Sequence, residues 1–148
     1  MASIKSEKRG RTHTNMMHRT HKRGAVSEYQ AATWFSSQGW EVYWSNLGQS
    51  SVDFLITRGG KMQTVQVKTA FRIPADGDPK YLKVNLTHGN RKGKLYKDNT
   101  FHILAACAED GRIWIIPFDE VPTGLQQFSI WKYKKKTGYE KWLVKTHT

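Results

Sequence analysis

A chain of 148 residues is of single-domain length, and a formal net charge of +12 points to a polyanionic partner. Six Trp, six Tyr and six Phe exclude wholesale disorder. A single cysteine, Cys107, excludes an intrachain disulfide framework and a cysteine-based zinc site.

The charge is uneven along the chain. Residues 1–24 hold seven bases against Glu7, while residues 25–70 balance. Residues 71–100 and 131–148 are again basic, and 101–130 are acidic. The sequence opens without an apolar leader, and its longest apolar run, around Phe101 to Ala108, is too short to span a bilayer. A soluble, cytoplasmic protein with no membrane partner is expected.

Residues 1–24 lack apolar periodicity and read as a basic arm preceding one domain over 25–148. His13, His18 and His21 lie in that arm with no fourth ligand in view, so a solvated segment is preferred to a zinc site. A helix is expected over 25–38, with Val26, Tyr29, Ala32 and Phe35 as its apolar stripe, Trp34 widening it and Gly39 after its end. Strands are expected at 41–45, 52–58 and 61–68, the first two separated by a polar loop around Gly48. Residues 71–80, with Pro74, Gly77 and Pro79, read as a loop, and 80–86 as a strand. A basic excursion over 87–100 precedes strands at 101–107 and 112–117, a helical turn at 118–121 and one or two further short strands in 126–144. One helix followed by antiparallel pairings favours an α+β fold: an N-terminal helix and a mainly antiparallel mixed sheet.

Gly59-Gly60 between two strand-like runs predicts a two-residue hairpin loop. Arg58 then pairs with Lys61, and Asp53 falls opposite Gln66. Lys68, two residues on, shares their face. An acid, an amide and a lysine therefore converge at one end of the hairpin. Asp53 can ligate magnesium, and the Gln66 side-chain carbonyl or an adjacent backbone carbonyl, such as that of Val67, can add neutral oxygen. Lys68 can orient water or stabilise charge on phosphorus, and Glu28 can add a carboxylate through a bound water. A salt-bridged Asp53–Lys68 pair on a solvated sheet face accounts for the spacing equally well.

The same residues carry a resemblance. Glu28 on a helix, Asp53 before Phe54-Leu55-Ile56, a turn, and Gln66-Val67-Lys68 followed by Thr69-Ala70 resemble the PD-(D/E)XK nuclease superfamily. Gln66 and the following Lys-Thr-Ala look most like the small homing endonucleases found in or beside group I introns. The resemblance covers residues 24–70 and extends more loosely to the later strands. It implies a restriction-endonuclease-like core with a catalytic set of Glu28, Asp53, Gln66 and Lys68. It also implies magnesium, replaceable by manganese, held by Asp53, Gln66 and Val67. Val52 stands where the family usually has Pro, and Gln66 where it usually has a carboxylate, leaving the site one negative charge short.

The function so implied is magnesium-dependent, site-specific cutting of double-stranded DNA by a homodimer or dimer of dimers, since cutting two strands calls for two sites. Arg9, Arg11, Arg19, Lys22, Arg23, Ser50, Ser51, Lys83, Arg91, Lys92 and Lys94 are the expected DNA contacts. A Holliday junction resolvase, or another structure-specific DNase, is an alternative built on the same core. A non-catalytic DNA-binding module and a basic RNA-binding protein are alternatives of another class.

Overall fold

The computed structural model describes residues 22–45, 51–87 and 100–146. Helix α1 occupies residues 22–37, so Lys22, Arg23 and Gly24 are helical and not part of an arm. Eight strands follow among the described residues: β1 (Glu41–Trp44), β2 (Phe54–Arg58), β3 (Lys61–Ile73), β4 (Tyr81–Asn85), β5 (Ile103–Ala108), β6 (Ile113–Pro117), β7 (Gln127–Lys132) and β8 (Leu143–Lys145). A 3-10 turn at Phe118–Glu120 and another at Glu140–Trp142 join the late strands. The fold is α+β, with a mixed and mostly antiparallel sheet. Among the described residues no helix is long and apolar enough to cross a membrane.

The helix buries a different stripe from the expected one. Ser27, Ala31, Ala32 and Phe35 face the sheet, whereas Val26 and Tyr29 are exposed. Positions three apart advance about 300° around a 3.6-residue helix, so a strict three-residue pattern drifts off any one face. The buried set follows the three-and-four spacing that holds a face. Tyr29 instead meets Trp44 of β1 edge-on, with ring centroids 5.4 Å apart.

The sheet runs β1-β2-β3-β5-β6-β8, with a ribbon of β4 and β7 attached to the far end of β3. Arg58 pairs with Lys61 and Phe54 with Val65, the register expected from the Gly59-Gly60 turn. Both glycines have positive φ, as a tight primed turn requires. β3 runs five residues further than expected. Phe71 to Ile73, placed in a loop by the sequence reading, pair with Lys83 to Tyr81. The prolines and Gly77 that suggested a loop do not interrupt pairing until Pro74.

β3 pairs in parallel with β5 over Val65 to Ala70, and β5 is buried along its whole length. Its two faces serve two cores. Ile103, Ala105 and Cys107 pack under α1 with Phe54, Ile56, Val65 and Val67. Leu104, Ala106 and Ala108 pack under the ribbon with Leu82, Val84, Phe128 and Ile130. Burying a side chain such as Phe54 or Ile130 contributes roughly 1.5–3 kcal/mol. Two apolar layers thus fix where β3 lies, and with it the site.

Candidate active site

β3 carries a fork. Along one edge it is paired to β2 only as far as Val65, and to β4 only from Phe71 onward. Between these ladders the edge is open, and the inward-turned groups of the fork occupy the gap. Asp53 stands at its near side, just before β2. Its backbone N–H donates to the Val65 carbonyl at 2.9 Å, and its carbonyl accepts from the Ser45 N–H at 3.0 Å. Pinned at both ends, Asp53 turns its carboxylate along β3, where Oδ2 accepts from the Val67 N–H at 2.6 Å.

Gln66 and Lys68 pair with Leu104 and Ala106 of β5, so their side chains share the face opposite α1. The Gln66 side chain is buried, and its amide nitrogen donates to the Val67 carbonyl at 3.2 Å. Its Oε1 is buried with no hydrogen-bond partner among the described residues. Lys68 Nζ donates to the Thr87 carbonyl at 3.5 Å, beyond the end of β4.

Glu28 arrives from the helix. Its neighbour Ser27 is buried and shares a hydrogen bond of 2.8 Å with Thr69 of β3, which ties α1 to the open edge. Glu28 is thereby brought close enough to Asp53 for the two carboxyls to influence each other. The helix cleft at this point is lined by Arg23, Ser27, Glu28, Val67, Lys68 and Thr69, and encloses about 670 Å³.

The electrostatics follow from crowding. Burial pushes the Glu28 carboxyl up to about 7, with the hydrogen bond and the negative charge of Asp53 acting in the same direction. Burial also raises Asp53, while its hydrogen bonds with Glu28 and the Val67 N–H and the charge of Lys68 pull it back. Burial lowers Lys68, opposed by Asp53. Near neutral pH the two carboxyls therefore hold a proton between them, which a cation could replace.

All four catalytic candidates, Glu28, Asp53, Gln66 and Lys68, come together at this fork. The expected DNA contacts are scattered. Lys22 is exposed on α1, Ser51 is partly buried ahead of β2, and Lys83 lies on the ribbon with Nζ 5.7 Å from the Tyr81 ring. Arg23 turns inward, donating to Gln30 Oε1 at 3.0 Å and to the Cys107 carbonyl at 3.4 Å. Arg9, Arg11, Arg19, Ser50, Arg91, Lys92 and Lys94 lie outside the described residues, as do His13, His18 and His21. Ser27 and Thr87 were not singled out from sequence, and Thr69 was noted only as part of the motif, with no role. Thr69 directly follows Lys68, and its position beside the motif was the one available signal.

No model of a known protein family matches the chain. Over 106 residues it is 36% identical to Protein 5.3 of Escherichia phage T7, an alignment spanning 71% of this chain and 86% of that protein. The chain belongs to the Protein 5.3 family. The fold of this Protein 5.3 relative is similar to that of the bacterial homing endonuclease I-Ssp6803I, with a TM-score of 0.71. That likeness covers 84% of this chain and 88% of the other at 20% identity.

The fork of the Protein 5.3 relative also bears on metal binding. Among the described residues no group of three or more His, Cys, Asp or Glu side chains is placed to hold a metal. The donors at hand are two carboxylates, the Gln66 oxygen and the Val67 carbonyl, all hard oxygen. A buried amide oxygen without a partner is the kind of atom that a hard cation satisfies. The residues present fit magnesium or manganese, which take hard oxygen donors.

Proposed function

We propose that this protein is a magnesium-dependent endonuclease of the PD-(D/E)XK type that hydrolyses phosphodiester bonds in double-stranded DNA at a defined site. The observation that carries this reading is the buried, unpartnered Gln66 Oε1, in the residue before Val67, whose N–H holds the Asp53 carboxylate. The chain's charge of +12 and the fold it shares with a homing endonuclease support the same reading.

In this reading Asp53, the Gln66 side chain and the Val67 carbonyl hold the cation, and Glu28 completes its surroundings. A divalent cation held there supplies Lewis acidity to a phosphate oxygen and to water. Lys68, with its affinity for a proton reduced by burial, orients the attacking water and offsets charge developing at phosphorus. Asp53 is held rigidly by its backbone contacts, so the charge that anchors the cation does not have to reorganise. The Ser27–Thr69 hydrogen bond keeps Glu28 over the gap. Arg9, Arg11, Arg19, Arg91, Lys92 and Lys94 would contact the DNA backbone, joined by Lys22 and Lys83. Cutting both strands makes a homodimer or dimer of dimers part of the proposal.

The test is incubation of the full chain with a plasmid library, and separately with a four-way junction, in magnesium and in chelator, followed by mapping of the ends. Magnesium-dependent cuts at one recurring linear sequence are expected. Cutting confined to the junction would replace site-specific cleavage with resolution. No cutting of either by wild type, with DNA bound, would remove the catalytic reading.

A further inference from the structure

Beside the cleft lies a second cavity of about 530 Å³, which shares Arg23, Thr69 and Phe71 with it. Three arginines line this cavity: Arg23 from α1, Arg72 from β3, and Arg112 ahead of β6. Arg112 is already neutralised. Its Nη2 lies 2.8 Å from Asp110 Oδ2, and its Nε donates to the same oxygen at 2.9 Å.

Arg23 and Arg72 are in a different state. Arg23 donates through Nη2 to Gln30 Oε1 and the Cys107 carbonyl, and Arg72 through Nη2 to the Gly77 carbonyl. All of those acceptors are uncharged. Both arginines keep Nε buried with no hydrogen-bond partner among the described residues. Of the cavity's acids, Asp110 is engaged by Arg112, and Glu109 is exposed. Two guanidinium groups from separate elements, neither paired with a carboxylate among the described residues, thus line one space. Leaving such charges uncompensated is costly, and an oxyanion with several acceptor oxygens can compensate both. A tetrahedral phosphate can accept from two forks that approach along different directions.

We propose that this cavity binds a phosphate group of the nucleic acid strand, next to the one placed in the cleft, through the guanidinium groups of Arg23 and Arg72. The proposal rests on the nuclease reading for the identity of the strand. It makes Arg72 a positioning residue: gripping a neighbouring phosphate sets where along the strand the cleft engages.

Equilibrium binding of the full chain to a short duplex containing its site, in calcium or chelator, tests this without any cleavage. Arg72→Gln should weaken binding about ten-fold or more and lower the slope of log affinity against log salt by about 0.9. Arg72→Lys keeps the charge, and should restore the slope while recovering only part of the affinity. A scan of single neutral methylphosphonates should find a position that weakens wild type but leaves Arg72→Gln unaffected. Should the Gln variant fail to fold, the same coupling read with Arg72→Lys decides the matter. No methylphosphonate position coupled to Arg72 would overturn the proposal. Titration with thymidine monophosphate and with inorganic phosphate separates the sources. Binding of these that depends on Arg72, with duplex binding unchanged, would assign the cavity to a free nucleotide and also overturn it. Coupling found in a protein that cuts no DNA would sustain the phosphate site and remove only the nuclease reading.

Discussion

Glu28→Gln should make the protein more stable and inactive at once. The Glu28 carboxyl is pushed from 4.5 up to about 7 in the folded chain. Because its folded pKa is raised, the stability it contributes is fully present below about 4.5 and is lost as pH rises through about 7. Above that pH the folded chain carries the cost of a second carboxylate beside Asp53. Taken at face value, the shift corresponds to about 3.4 kcal/mol. Glu28 is only half-buried, and solvent screening cuts that figure by half or more, to about 1–2 kcal/mol. A neutral amide of the same shape escapes this cost. For a chain of this length the gain is about 3–6 °C in melting temperature. Thermal melts of both proteins at pH 5 and pH 8.5, without metal, make the comparison. The variant should exceed wild type clearly at pH 8.5 and by much less at pH 5. Magnesium should raise the wild-type melt at pH 8.5 and narrow the difference, since bound cation relieves the same repulsion. Equal gains at both pH values, or none at pH 8.5, would refute the account of two carboxyls sharing a proton.

Asp53→Ala and Lys68→Ala should each abolish cleavage yet retain duplex binding in calcium, measured by gel shift and by fluorescence anisotropy. Either variant cutting at near wild-type rate removes it from the site. Gln66→Leu eliminates the buried unpartnered oxygen, and should therefore keep or raise stability while losing the magnesium-induced rise in melting temperature. Gln66→Glu should retain both metal binding and measurable activity, and full activity in the Leu variant would show that Oε1 is no ligand. Phe54→Ala, in the core under α1, should cost about 3–5 kcal/mol in denaturant unfolding. A loss under 1 kcal/mol would mean that this layer is less well packed than described.

The convergence of Asp53, Gln66 and Lys68 was legible because a two-glycine turn is a local instruction. Once Gly59 and Gly60 close the hairpin, the period of two along each strand fixes which residues meet. Glu28 was a candidate as a helix carboxylate and through resemblance, but nothing in the helix pattern says which residue will stand over Asp53. The pattern even suggested a different face, led by Val26 and Tyr29. What escaped were the long-range pairings. The continuation of β3 through Phe71 to Ile73 depends on β4, and β4 on β7, more than forty residues further along. No local periodicity reports a partner at that distance, so the fork and the arginine-lined cavity behind it were out of reach. Arg23 looked like an exposed contact for the same reason: the carbonyl it meets belongs to Cys107 on β5.

The four groups at the fork also have different histories in the folding chain. Asp53, Gln66 and Lys68 belong to one hairpin, whose closure brings together residues a short way apart in sequence and is expected to be fast. Glu28 joins only when α1 docks through Ser27 and Thr69. The hairpin is therefore expected to form before the helix adds the carboxylate that completes the cluster. In the proposed function, docking of one helix would be the step that completes the site, and an opening of the native state that lifts α1 would undo it while leaving the hairpin intact. Hydrogen exchange at the Val67 N–H, set against exchange in α1, would separate the two events.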